Sequence, residues 1–141
     1  MSKEQINEIL KKYRVIAVVG LSSDSEKDSY RVSAYLQEEG YRIIPVNPFV
    51  DEVLGEKSYP SLMEIPSEIQ KTIEIVNIFR KPKDVPPIVE HAIKLKQLFG
   101  KLFVVWMQLG IVNERSAQEA RRAGLVVVMD KCLMVEHLRL V

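Results

Sequence analysis

The chain has 141 residues, 47% of them hydrophobic and 28% charged, with a formal net charge of +1. That length suits a single domain over residues 1–141 with a sizeable core, and the near-neutral balance lacks the broad basic field of a general nucleic-acid binder. Two histidines and one cysteine are too few for a typical structural zinc site, and a lone cysteine excludes an internal disulfide framework.

The first residues, Met1-Ser2-Lys3-Glu4-Gln5, are polar and open an amphipathic pattern rather than a signal sequence. No apolar run approaches the ~20 residues that span a bilayer. These features predict a cytoplasmic protein without a membrane partner. Glu4 to Tyr13 places Ile6, Ile9 and Leu10 on one helical face. Val15 to Val19 is a wholly apolar strand that stops at Gly20 and gives way to the polar loop Leu21-Ser22-Ser23-Asp24-Ser25. Ser29 to Glu39 carries Val32, Tyr35 and Leu36 at helical spacing, with Gly40 to end it. Arg42 to Val46 reads as the second strand. Pro48 to Pro66 reads as a surface loop with a short helical turn near Leu62.

Ile73 to Phe79 is the third strand. Pro86 and Pro87 suit the first turn of a helix whose stripe holds Ile88, Val89, Ala92 and Ile93. Leu102 to Met107 is the fourth strand, and Asn113 can cap a helix containing Ala117 and Ala120, closed by Gly124. Leu125 to Met129 is the fifth strand, and Lys131 to Leu140 a final helix. Strands alternating with helices predict an α/β, three-layer Rossmann-like fold. Its expected centre is a five-stranded parallel sheet of order 3-2-1-4-5 with helices on both faces.

Ligands of such sheets bind outside the carboxyl ends of the strands. This rule gathers Gly20-Leu21-Ser22, Asn47-Pro48, Phe79-Arg80-Lys81, Trp106-Met107-Gln108 and Asp130-Lys131-Cys132 at one edge. Bare amides in the Gly20 turn suit a phosphate, and Arg80 can fork two hydrogen bonds onto one. A nicotinamide dinucleotide is disfavoured. Ser22 and Ser25 interrupt the G-x-G-x-x-G pattern, and Asn47-Pro48 stands where a ribose-binding acid belongs. Trp106, Met107 and Gln108 offer an apolar surface and an amide to a ligand's apolar arm, or else complete the core. Cys132 is the one candidate nucleophile for thioester chemistry, but the sequence sets neither His91 nor His137 beside it. No catalytic or metal-ligating set emerges. Leu133, Val135 and Leu138 either pack against the sheet or serve a homodimer or another protein partner.

With these positions assembled, the sequence resembles the small stand-alone CoA-binding proteins, whose domain is similar to the N-terminal domain of the succinyl-CoA synthetase α subunit. The resemblance is carried by Val15 to Ser22, Gly40 to Pro48, Tyr59-Pro60-Ser61-Leu62, Val76 to Arg80, Val105 to Ile111 and Asp130-Lys131-Cys132, all in order. It implies a fold that cradles coenzyme A or an acyl-CoA. Gly20, Leu21, Ser22 and Ser23 would hold the phosphate-bearing part, and Asn47 and Pro48 would border the adenosine end. Phe79 and Arg80 would line the crevice, with Trp106, Met107 and Gln108 along the pantetheine arm. The synthetase's phosphate-carrying histidine belongs to another domain, and neither His91 nor His137 lies in a matching segment. The resemblance therefore implies binding without ligase activity.

Overall fold

A strand with no polar residue on either side, such as Val15–Val19, is stable only when covered on both faces. The computed structural model, which describes residues 1–140, provides that cover. Helix α1 (Lys3–Lys12) leads into β1 (Val15–Val19), α2 (Asp28–Glu38) and β2 (Arg42–Val46). A small hairpin of β3 (Glu52–Val53) and β4 (Glu56–Lys57) follows, then a 3-10 turn at Leu62–Glu64 and the short α3 (Ser67–Gln70). The chain ends in β5 (Ile75–Ile78), α4 (Val85–Phe99), β6 (Val104–Met107), α5 (Glu114–Arg122), β7 (Val126–Val128) and α6 (Leu133–Leu138). Asn113 caps α5 as expected, its Oδ1 accepting from the Ser116 N–H at 3.0 Å.

The main sheet has five strands, all parallel, in the order β2-β1-β5-β6-β7. The Rossmann-like class is as expected. The order is corrected: counting only these five strands it runs 2-1-3-4-5, so the third strand lies against the first rather than outside the second. The outer edge of β2 is already taken. Tyr59 forms a parallel bridge to Val46, donating its N–H to the Pro45 carbonyl at 3.1 Å and accepting from the Asn47 N–H at 2.9 Å. Pro45 itself has no N–H to offer a full strand on that side.

Side chains alternate along each strand and feed two cores. Ala17, Val19, Val76, Ile78, Val105 and Met107 face the side of α4 and α5. Ile16, Val18, Ile75, Val104, Trp106 and Val128 face the side of α1, α2 and α6. The segment expected to be a surface loop contributes to both, because Val53, Leu62 and Ile65 are buried. Leu133 is also wholly buried and Val135 half-buried, so the apolar patch expected on the last helix shrinks to the exposed Leu138. The Tyr41 hydroxyl donates to the Leu10 carbonyl, and burial pushes its pKa above the ordinary value.

Asn77, on β5, is wholly buried, and neither its Oδ1 nor its Nδ2 has a hydrogen-bond partner among the described residues. An orphaned buried amide costs about 1–3 kcal/mol. Asn77→Leu is therefore expected to raise the melting temperature, by roughly 3–10 °C in calorimetry. A fall instead would show that the amide is not an orphan in solution.

Candidate ligand-binding site

The β1-to-β2 connection runs through α2 on one face of the sheet, and the β5-to-β6 connection runs through α4 on the other. Between the carboxyl ends of β1 and β5 the connections therefore diverge and leave a crevice. Gly20 stands at its floor with φ +92°. A Cβ there would meet the Phe79 carbonyl oxygen at 2.8 Å and Arg80 Cδ at 3.0 Å, so the protein's own β5 loop demands the glycine.

The amides of this turn are only partly free. The Gly20 N–H donates to the Val46 carbonyl at 2.8 Å, and the Ser22 N–H donates to Ser29 Oγ at 3.0 Å. Those of Leu21 and Ser23 have no acceptor among the described residues, but Leu21 is wholly buried, so only the amide of the exposed Ser23 is within a ligand's reach. Asn47 braces the turn, with Nδ2 donating to the Leu21 carbonyl and Oδ1 accepting from the Phe49 N–H, each at 2.9 Å. Its side chain is thus committed to the loop. Ser22 Oγ is likewise engaged, accepting from the Asp24 N–H at 3.0 Å.

Beside the turn, Arg80, Lys81 and Lys83 face a single acid, Asp84, across one hollow. The Arg80–Asp84 contact is 3.5 Å long, with side chains 41% and 36% exposed. Such a pair contributes about 0–1 kcal/mol, so Arg80 is free to turn toward an anion. Asn113 holds this segment in place, donating from Nδ2 to the Pro82 carbonyl at 3.0 Å.

Two cavities adjoin the crevice. The first, of about 350 Å³, opens beside Gly20 and Arg80 between Pro48, Phe49, Pro60 and His91. Phe49 is 84% exposed at its rim. The second, of about 320 Å³, lies between α2 and the Cys132–Val135 segment and is lined by Phe79 and Gln108.

The expected residues separate accordingly. Gly20, Pro48 and Arg80 line the first cavity, Phe79 and Gln108 the second, and Ser23 presents its amide at the surface. Leu21, Trp106 and Met107 belong to the cores, all wholly buried, and line neither cavity. For Leu21 this removes its expected hold on a phosphate, and for Trp106 and Met107 it corrects their expected place along a ligand's arm. The reason is the strand alternation, which turns Trp106 under α6 and Met107 under α4 and α5. Sequence reasoning missed Phe49, Ser61, Lys83 and His91, although Pro60-Ser61 lay in a segment that carried the resemblance. Phe49 was signalled by its position beside Pro48. His91 gave no local signal, since only the path of α4 brings it to the crevice.

A family model described as a CoA binding domain matches residues 14–138. The chain belongs to the CoA binding domain family. Across its length it is similar to the uncharacterized protein YneT of Bacillus subtilis, 42% identical over 136 residues that cover 96% of this chain and 94% of that one. A hypothetical protein of Pyrococcus horikoshii OT3 has the same fold. Its TM-score is 0.89 at 44% identity, covering 99% of this chain and 92% of the other. The chain also matches part of the ADP-forming acetate–CoA ligase II subunit alpha of Pyrococcus furiosus. That match is 44% identical over 64 residues, 45% of this chain but 14% of the subunit. The chain thus matches a protein of its own size and a small part of a longer ligase subunit. Among the described residues no helix is long and apolar enough to cross a membrane, and no group of three acidic, histidine or cysteine side chains could hold a metal ion.

Proposed function

We propose that this chain binds coenzyme A or an acyl-CoA at the carboxyl ends of its parallel strands, as a cytoplasmic binding protein without chemistry of its own. One observation carries the reading: the Gly20 turn, whose Cβ position lies 3.0 Å from Arg80 Cδ, leads to the exposed Ser23 with its free amide, and Arg80 also lines a hollow with Lys81 and Lys83, between β1 and β5 where the strand order switches. A free amide donor and a forked guanidinium match a diphosphate, and the lysines match a further phosphate. The first cavity then takes the adenosine end, with Pro48, Phe49 and His91 around the base. Membership of the CoA binding domain family supports the same ligand.

A thioester-transfer reading through Cys132 needs a base at the sulfur. Neither histidine lines the cavity that holds Cys132: His91 lines the other one, and His137 Nδ1 is hydrogen-bonded to the Tyr35 hydroxyl at 2.6 Å. Incubation with acetyl-CoA should accordingly leave the intact mass of the protein unchanged.

Titration calorimetry with coenzyme A tests the proposal directly. Arg80→Ala is expected to weaken binding by about 1–3 kcal/mol, the scale of one charged hydrogen bond. An affinity equal to wild type would remove Arg80 from the site, and no heat with either protein would overturn the assignment of the ligand.

A further inference from the structure

The second cavity is unlike a phosphate site. Its walls include Val32 from α2, Phe79 from the end of β5, Leu109 and Ile111 after β6, Cys132 before α6, and Met134 and Val135 from α6. Asp28 and Arg31, which also line it, neutralise each other in an ion pair. The cavity is small, near the lower end of the ~300–1,000 Å³ typical of small-molecule pockets.

Gln108 lines this space with a donor to spare. Gln108 is only 4% exposed, and its Oε1 accepts from the Leu133 N–H at 2.9 Å. That bond fixes which way the amide faces. Its Nε2 then has no acceptor among the described residues, yet the side chain lines the cavity. The other side of the wall is held as well, because Asp130 Oδ1 accepts from the Gly110 N–H at 2.6 Å. A mainly apolar pocket with an unused, nearly buried N–H donor fits an alkyl chain that begins at a carbonyl.

The pocket adjoins the basic hollow. Phe79 borders both, and Arg80 joins the hollow to the first cavity. A ligand lying along the strand ends would pass from one to the next. Resting on the coenzyme A reading above, we propose that the second cavity is an acyl pocket, so that the ligand of this chain is an acyl-CoA of short to medium chain rather than coenzyme A alone. In this arrangement Gln108 Nε2 donates to the thioester carbonyl, and the side chains of Val32, Met134 and Val135 enclose the alkyl tail.

The test is a calorimetric series on the unmodified chain with coenzyme A, acetyl-CoA, butyryl-CoA, hexanoyl-CoA and octanoyl-CoA. Affinity should rise by about fourfold per added methylene until the pocket is full, the gain expected for burying each group. Coenzyme A that binds, followed by a flat or falling series, would overturn the acyl pocket and leave the proposed function standing. Coenzyme A and all four thioesters failing to bind would overturn both. Gln108→Glu supplies an independent readout. Its carboxylate can still accept from the Leu133 N–H, but it sets an anionic oxygen where the free donor was. The preference for hexanoyl-CoA over coenzyme A should shrink by about tenfold or more, since a buried acceptor then faces another acceptor. A preference equal to wild type would remove Gln108 from the carbonyl.

Discussion

Gly20→Ala is expected to lower the stability of the chain by about 2–5 kcal/mol, combining a strained backbone with an overfilled contact. The residue sits at φ +92°, where any side chain is strained, and its added Cβ would lie 2.8 Å from the Phe79 carbonyl oxygen. That oxygen cannot simply retreat, because the Phe79 N–H donates to the Val19 carbonyl at 2.9 Å and pins the loop to β1. Gly40 provides an internal control. Its φ is +94°, but nothing among the described residues lies within 4 Å of a Cβ built there. Gly40→Ala should therefore incur only the backbone part, about 1–3 kcal/mol. The melting temperature of Gly20→Ala should fall by roughly 5–15 °C and clearly below that of Gly40→Ala. Equal losses in scanning calorimetry would show that the β5 loop yields, and that the close approach of the two strand ends has no bearing on stability. In the proposed site the same substitution also pushes Arg80 away from the turn, so any coenzyme A binding should weaken in parallel.

The strands were legible because a wholly apolar run such as Val15 to Val19 leaves few alternatives to burial in a parallel sheet. Which side of β1 receives the third strand was not read correctly. Right-handed crossovers with helices on both faces are compatible with either order. One residue could have decided it: Pro45, inside the second strand, marks that strand as an edge. The glycine turn was legible as a tight bend, but only the structure shows that two of its four amides are already satisfied, by Val46 and Ser29. The second cavity had no local signature. It exists because α2 and α6, about a hundred residues apart in the chain, pack against each other above the ends of β5 and β6.

The misplacement of Trp106 leads to the other large effect. A residue at the carboxyl end of a strand is drawn toward a ligand by the rule for parallel sheets, but that rule concerns the loops beyond the strand. Within β6 the alternation still holds, so Val104 and Trp106 face the helices α1, α2 and α6, and only Gln108, past the strand, reaches a cavity. Trp106 is fully buried, and its Nε1 donates to the Lys131 carbonyl at 2.8 Å, tying β6 to the connection between β7 and α6. Trp106→Ala should cost about 3–5 kcal/mol for the vacated volume, with the stranded carbonyl adding to it. Trp106→Phe keeps most of the ring volume and loses the hydrogen bond, so it should cost less, on the order of 1–2 kcal/mol. The two variants together separate a core role from a ligand role. A core residue predicts a stability loss graded with size and, in the folded Phe variant, coenzyme A affinity within about twofold of wild type. If the Phe variant instead kept its melting temperature and lost affinity, Trp106 would belong to the ligand's arm after all, and the tether from Lys131 would be incidental to the fold.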